Sequence, residues 1–163
     1  MGSGKTTIAK LLSEKINLNV LDLDKIIEER VNLSVKTIFE TKGEIYFRKI
    51  EHQIFSELMS NNESMILSLG GGTPCYAGNH LLLNGEGVTS IYLKASIETL
   101  YERLSGAKPD RPLLSALEKE EMQEFIAKHL FDRSYYYNQA SFKVTVDGKN
   151  PETIVREIEN ILA

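Results

Sequence analysis

Residues 1–7 read MGSGKTT, Met1-Gly2-Ser3-Gly4-Lys5-Thr6-Thr7, and Gly4-Lys5-Thr6 is the closing half of a phosphate-binding loop. The full pattern is a glycine, four residues, then Gly-Lys-Ser/Thr, launched by a buried strand. The pattern's first glycine and its strand would have to precede Met1. Glycines let backbone N–H groups turn inward around phosphate oxygens, and the helix that follows adds its positive N-terminal end. Lys5 would reach the β- and γ-phosphates, and the Thr6 hydroxyl would bind Mg2+. The rival reading is a flexible Gly-Ser tag. A tag does not explain Ile8, Leu11, Leu12 and Ile16, which follow at helical spacing.

Beyond that helix, strands and helices alternate. NVLDLD (Asn19 to Asp24) is a short apolar strand ending in two acids, and a helical pattern runs from about Lys25 to Asn61 with Phe47, Ile50, Ile54 and Leu58 on one face. SMILSL (Ser64 to Leu69) is a second strand that runs into Gly70-Gly71-Gly72. A helix near Asn79 to Leu83 leads to a third strand, Val88 to Leu93, and a helix follows from about Ser96 to Leu104. A helix over about 118–138, a fourth strand over 141–146 and a last helix capped by Asn150 with Pro151 at its first position complete the chain. Such alternation predicts an α/β protein whose parallel sheet is covered on both faces.

Bulk properties narrow the partners. A chain of 163 residues, 42% hydrophobic and 26% charged, suits one globular domain. A net charge of −4 argues against nucleic acid or an anionic membrane as the main partner. No apolar run reaches the length of a membrane span. Cys75 is the only cysteine and can form no internal disulfide, which points to a reducing, cytoplasmic setting. His52, His80 and His129 lack metal-ligand spacing.

Several residues carry candidate chemistry. Asp22 and Asp24 stand two apart on a strand, so both carboxylates can face one site beyond its carboxyl end. One could serve Mg2+ and the other a hydroxyl about to attack phosphate; alternatively Asp24 simply caps the next helix. Arg48 has Glu44 four residues before it and Glu51 three after, which also reads as an ordinary helix surface with ion pairs. Arg133, beside Asp132, is equally open, and Tyr135 to Tyr137 read as packing. Three glycines at 70–72 are more than a turn needs and permit close backbone approach to a ligand. Residues 105–117, SGAKPDRPLLSAL, have no period and read as a lid loop that could bring Arg111 onto phosphate.

In this order GSGKTT, LDLD, FRKIE, GGG, RPLL and the Arg133-to-Tyr137 spacing resemble the shikimate kinase family, over essentially the whole chain. The resemblance implies a three-layer α/β/α P-loop fold in a single domain over 1–163, with a substrate-binding helical region over about 25–61. It implies that Gly2, Ser3, Gly4, Lys5, Thr6 and Thr7 hold ATP phosphates, with Arg111 from the lid and with Arg103 and Pro151 beside the adenine. Lys149 stands where many members have an ATP-contacting arginine. Thr6 and Asp22 would position Mg2+. Asp24, Arg48, Gly70, Gly71, Gly72 and Arg133 would bind substrate, with Lys5, Asp24 and Arg111 catalytic. The implied reaction moves the γ-phosphoryl group of ATP to the 3-hydroxyl of shikimate, in a cytoplasmic monomer with no nucleic-acid or membrane partner.

The family sheet has five strands, and four are visible here. A central strand carries about five buried side chains, each worth about 1.5–3 kcal/mol, a sum comparable with a whole domain's stability of about 5–15 kcal/mol. The expectation is therefore that Met1 is an internal methionine of a chain whose first strand lies upstream. Two other readings remain: another small-metabolite kinase of this fold, such as gluconate kinase, or a non-catalytic nucleotide-binding remnant.

Overall fold

A computed structural model describes residues 2–106 and 118–163. Most of the predicted lid, Arg111 included, lies outside the described residues. Helix α1 spans Lys5–Ile16 and leads to β1 (Asn19–Asp22). The long helical stretch divides into α2 (Leu23–Val31) and α3 (Val35–Met59). The break has a local cause: Asn32 closes α2 in the left-handed conformation at φ 56°, and Ser34 then caps α3 by accepting from the Thr37 N–H. Gly43, at φ 84°, bends α3, so the face carrying Phe47 and Ile54 is set by the segment after the bend.

Strand β2 (Met65–Ser68) ends at the triple glycine, and two short 3-10 segments follow, Thr73–Cys75 and Asn79–Asn84. The second replaces the expected helix at that place. Strand β3 (Ile91–Lys94), helix α4 (Ile97–Gly106), helix α5 (Lys119–Tyr137), strand β4 (Phe142–Thr145) and helix α6 (Pro151–Leu162) complete the order. Asn150 caps α6 as expected, accepting from the Thr153 N–H at 2.8 Å.

The four strands pair parallel, but as two separate ladders. β1 pairs with β2, setting Asp22 opposite Ser68, and β3 pairs with β4. Each ladder has its own core. Leu23, Ile27, Ile38, Phe47, Ile54, Phe55 and Leu83 pack beside β1 and β2. The larger core joins Ile8 and Leu12 of α1 to Leu93, Leu100, Ile126, Val144, Ile154 and Ile158 around β3 and β4. Between the ladders lies a cavity of about 790 Å3, lined by Met65, Ile66 and Leu67 of β2, Ile91 and Leu93 of β3, and Leu12 of α1.

The resemblance places a strand at the centre of the sheet, and the described residues supply none there. β2 and β3 consequently turn one edge each toward the gap without a ladder partner among the described residues. An apolar cavity of this size holds apolar ligands in preference to water. Titrating the folded protein with an apolar fluorescent dye should therefore give saturable binding near about one dye per chain. Ile91→Lys should weaken it, and a flat titration would mean that the gap is closed in solution.

Candidate active site

Helix α1 begins where its loop ends. Gly2 and Gly4 have φ of 72° and 95°, a region that L side chains rarely adopt, and Gly4 is the N-cap of the helix. This geometry turns the backbone of 2–4 toward the positive helix end, where an anion is favoured. Arg103 reaches back from α4 and donates to the carbonyls of Gly2, at 3.4 Å, and Ser3, at 3.0 Å. It thus clamps the loop from behind, while Lys5 and Thr6 stand in the first turn of α1.

The acids are arranged differently from the strand geometry expected. Asp22 ends β1 and is itself the helix cap: its Oδ1 accepts from the N–H groups of Asp24 and Lys25. Asp24 is therefore not a second strand residue, and it is not the cap either; it lies in the first turn of α2. The two carboxylates still face one cleft, because the chain turns from strand to helix between them. Burial raises the Asp24 pKa above its ordinary 3.8, the negative charges of Asp22, Glu51 and Glu28 add to this, and Arg48 opposes it.

A cleft of about 460 Å3 gathers these pieces. Gly2, Gly4, Lys5, Thr6 and Thr7 line it together with Asp22, Asp24, Ser68, Leu69, Gly70, Gly71 and Arg133. It opens into the apolar gap, whose wall shares Lys5, Gly70, Gly71 and Arg133 with it.

The glycine loop is packed from both flanks. A Cβ on Gly70 would stand 3.3 Å from Asp24 Oδ1, and one on Gly72 only 2.6 Å from Arg48 Nη2. Both side chains rest against space that only hydrogen can leave open. From α5, the Tyr137 hydroxyl donates to the Gly71 carbonyl at 2.6 Å, and the Arg133 charge acts on that same tyrosine.

Arg48 is 16% exposed at its side chain and bonded to Glu51, 1% exposed, at 2.8 Å; Glu44 adds a longer contact at 3.4 Å. The ion pairs that spacing allowed on a helix surface thus exist, but the inner one is buried. Burial works against the Arg48 charge, and the Glu51 hydrogen bond and charge outweigh that, so its pKa is raised. Its guanidinium also lies 4.0 Å from the centre of the Tyr76 ring, a cation–π contact.

The remaining candidates lie elsewhere. Pro151 starts α6, and Lys149 is bonded to Glu157 at 2.8 Å; neither lines the cleft, nor do Ser3, Arg48, Gly72 and Arg103. Sequence reasoning passed over Ser68, which the β1–β2 register brings beside Asp22, and Tyr137, read as packing. It also treated Glu51 only as a surface partner. A glutamate at i+3 from an arginine within an apolar face is the signal that could have marked the buried pair.

The sequence profile of one family, described as shikimate kinase, matches residues 1–163. The chain belongs to the shikimate kinase family. Among its relatives, shikimate kinase of Flavobacterium johnsoniae is 58% identical over 163 residues, which is all of this chain and 95% of that one. Shikimate kinase of Flavobacterium psychrophilum is 54% identical over 162 residues, 99% of this chain and 94% of the relative. The fold agrees with the crystal structure of shikimate kinase from Bacteroides thetaiotaomicron at a TM-score of 0.89 and 33% identity, covering 99% of this chain and 93% of that one. It agrees also with shikimate kinase from Acinetobacter baumannii in complex with shikimate, at a TM-score of 0.84 and 28% identity over 99% and 88% of the two chains. The P-loop fold of shikimate kinases is thus the fold of this chain.

Gly72 offers a direct test of how the glycine loop sets Arg48. In Gly72→Ala the new methyl would stand 2.6 Å from Arg48 Nη2 and must displace a guanidinium that Glu51 and Tyr76 hold. The melting temperature should fall by about 3–10 °C, the equivalent of weakening one charge-assisted hydrogen bond. A melting temperature equal to wild type would show that Arg48 and the loop are not coupled.

Proposed function

We propose that this shikimate kinase homologue transfers the γ-phosphoryl group of ATP to the 3-hydroxyl of shikimate, giving shikimate 3-phosphate and ADP. The observation that carries this reading is the cleft itself, where the phosphate loop faces Asp24, the glycine loop and Arg133 across one cavity.

Membership of the shikimate kinase family supports the following roles. The backbone of 2–4, Lys5 and the α1 N-terminus receive the phosphates, with Arg103 holding the loop carbonyls so that the N–H groups stay turned to the ligand. Arg48 and Arg133 grip the substrate carboxylate, for which the planar guanidinium fork is suited. Asp24, pressed against Gly70, accepts a hydrogen bond from the attacking hydroxyl. As that oxygen bonds to the γ-phosphorus, the bond to the bridging oxygen of ADP breaks and Asp24 takes the hydroxyl proton. A carboxylate of raised pKa is the better proton acceptor for this step. Alignment and converging positive charge do most of the work, since the transition state is loose.

The donor set fits Mg2+. Both cap bonds of Asp22 fall on Oδ1, leaving Oδ2 without a hydrogen bond from the described residues, and the Thr6 hydroxyl lines the same cleft. One carboxylate and a hydroxyl, completed by phosphate oxygens and water, is the usual protein share of a magnesium site. When bound, the ion would neutralise charge developing on the phosphates. Lys149 and Pro151, with Arg111 from the lid, complete the ATP site in this reading.

A coupled assay of ADP release with ATP, Mg2+ and shikimate tests the proposal. Turnover should require shikimate and be absent with gluconate; turnover with gluconate alone would replace the substrate. Shikimate binding without turnover would favour a non-catalytic remnant. Asp24→Asn should lower kcat by about two to four orders of magnitude. Because the Asp24 pKa is raised, its protonated form favours the fold, a contribution lost as pH rises through that value. A neutral amide retains it, so this variant should melt at or above the wild-type temperature at pH 7. In the wild type, the acid limb of kcat/KM should fall at a pH above 3.8, the ordinary aspartate value.

A further inference from the structure

We propose that Thr73 and Asn79, with His52 behind them, are positioning residues that fix Arg48 and the exit of the glycine loop; the inference rests on the reading of Arg48 as the carboxylate grip. Thr73 and Asn79 are fully buried, and neither touches the cleft. Asn79 Nδ2 donates to the Thr73 carbonyl at 2.9 Å, so its Oδ1 is the acceptor, and His52 Nδ1 donates to that oxygen at 2.7 Å. The Thr73 hydroxyl donates to Glu51 Oε2 at 2.8 Å, while Glu51 Oε1 accepts from Arg48 Nη1 at 2.8 Å. The donors therefore run in one direction from His52 on α3 through the 3-10 segments to Glu51, where Arg48 of the same helix donates to the other carboxylate oxygen.

This arrangement answers a specific need. A buried carboxylate with one arginine partner has a second oxygen to satisfy and a free side-chain torsion. The Thr73 hydroxyl does both: it satisfies Oε2 and so fixes which oxygen meets Arg48. It also lies 3.2 Å from where a Gly70 Cβ would stand, so it supports the loop at the point where Asp24 rests. The Thr73 N–H bonds to the Gly70 carbonyl at 3.1 Å, closing the turn. Asn79 holds the Thr73 carbonyl, and His52 fixes the rotamer of Asn79.

Thr73→Val keeps shape and removes only the hydroxyl. It should raise KM for shikimate by about tenfold or more, the worth of one buried hydrogen bond to a charge, while KM for ATP stays with the wild type. Thr73→Ser should restore the wild-type value. In an Arg48→Ala background Thr73→Val should add little, because the two act through one contact. Asn79→Ala, should the valine variant not fold, should move the same constant in the same direction. A readout independent of turnover is the Arg48 Nε–H signal in proton–nitrogen NMR, sharp in the wild type and Thr73→Ser and broadened in Thr73→Val. Should the wild type lack shikimate-dependent turnover, the assigned reaction fails while the NMR comparison still decides the network. An unchanged Arg48 signal in Thr73→Val, or equal rises in both KM values, would overturn the positioning role.

Discussion

The Glu51 carboxylate, 1% exposed within an apolar helix face, is the constraint from which the arrangement of Arg48 and the glycine loop follows. An unpaired charge there would be strongly destabilising, and removing one partner of such a pair costs about 3–5 kcal/mol. Glu51 must therefore have a cation and a second donor. Arg48 and Thr73 supply them, and both requirements reach outward. Arg48, held inward by Glu51, packs on Gly72 and beneath Tyr76. Thr73 can reach Glu51 only if the chain after β2 turns sharply back toward α3. Glycine at 70 and 72 lets Asp24 and Arg48 approach that turn closely.

The same negative charge acts on Asp24, which feels Glu51, Asp22 and Glu28 together with its own burial. Three acids around one aspartate would be an unhelpful arrangement for a fold alone. Around a proton acceptor they are useful, because they raise its basicity. Arg48 limits the effect, so one guanidinium neutralises Glu51, lowers the Asp24 pKa and, in the proposed reaction, faces the substrate carboxylate.

The two ladders explain how the halves of the site are carried. The α2–α3 region with β1 and β2 holds Asp22, Asp24, Arg48 and the glycine loop, and it has its own core. The other core contains α1, α4, α5 and α6 with β3 and β4, and so carries the phosphate loop, its Arg103 clamp and Arg133. The apolar gap separates the ladders, and the cleft lies at its mouth, sharing Lys5 and Arg133 with it. Tyr137 spans this division by bonding from α5 to Gly71.

Much of this was legible in the residues. Gly4-Lys5-Thr6 before an amphipathic helix marks a phosphate loop because few other needs combine those residues, and apolar runs closed by acids or glycines mark strands ending at a site. The Asn150-Pro151 start of α6 is a local signal and held to the residue. Local signals failed where packing decides. The helical stretch read over 25–61 divides into two helices, since Asn32 takes a left-handed cap. Asp22 and Asp24 share a cleft through a strand-to-helix turn, not through strand alternation. The sequence by itself determined the element order, the parallel pairing and the position of the phosphate loop, because these depend on periodicity and near-neighbour chemistry. Only the tertiary structure decided that the Arg48–Glu51 pair is buried, that Thr73, Asn79 and His52 stand behind it, and that Tyr137 holds the glycine loop. The contacts of Thr73, His52 and Tyr137 join residues 22 to 66 positions apart, and pairing across such distances leaves no trace in local spacing.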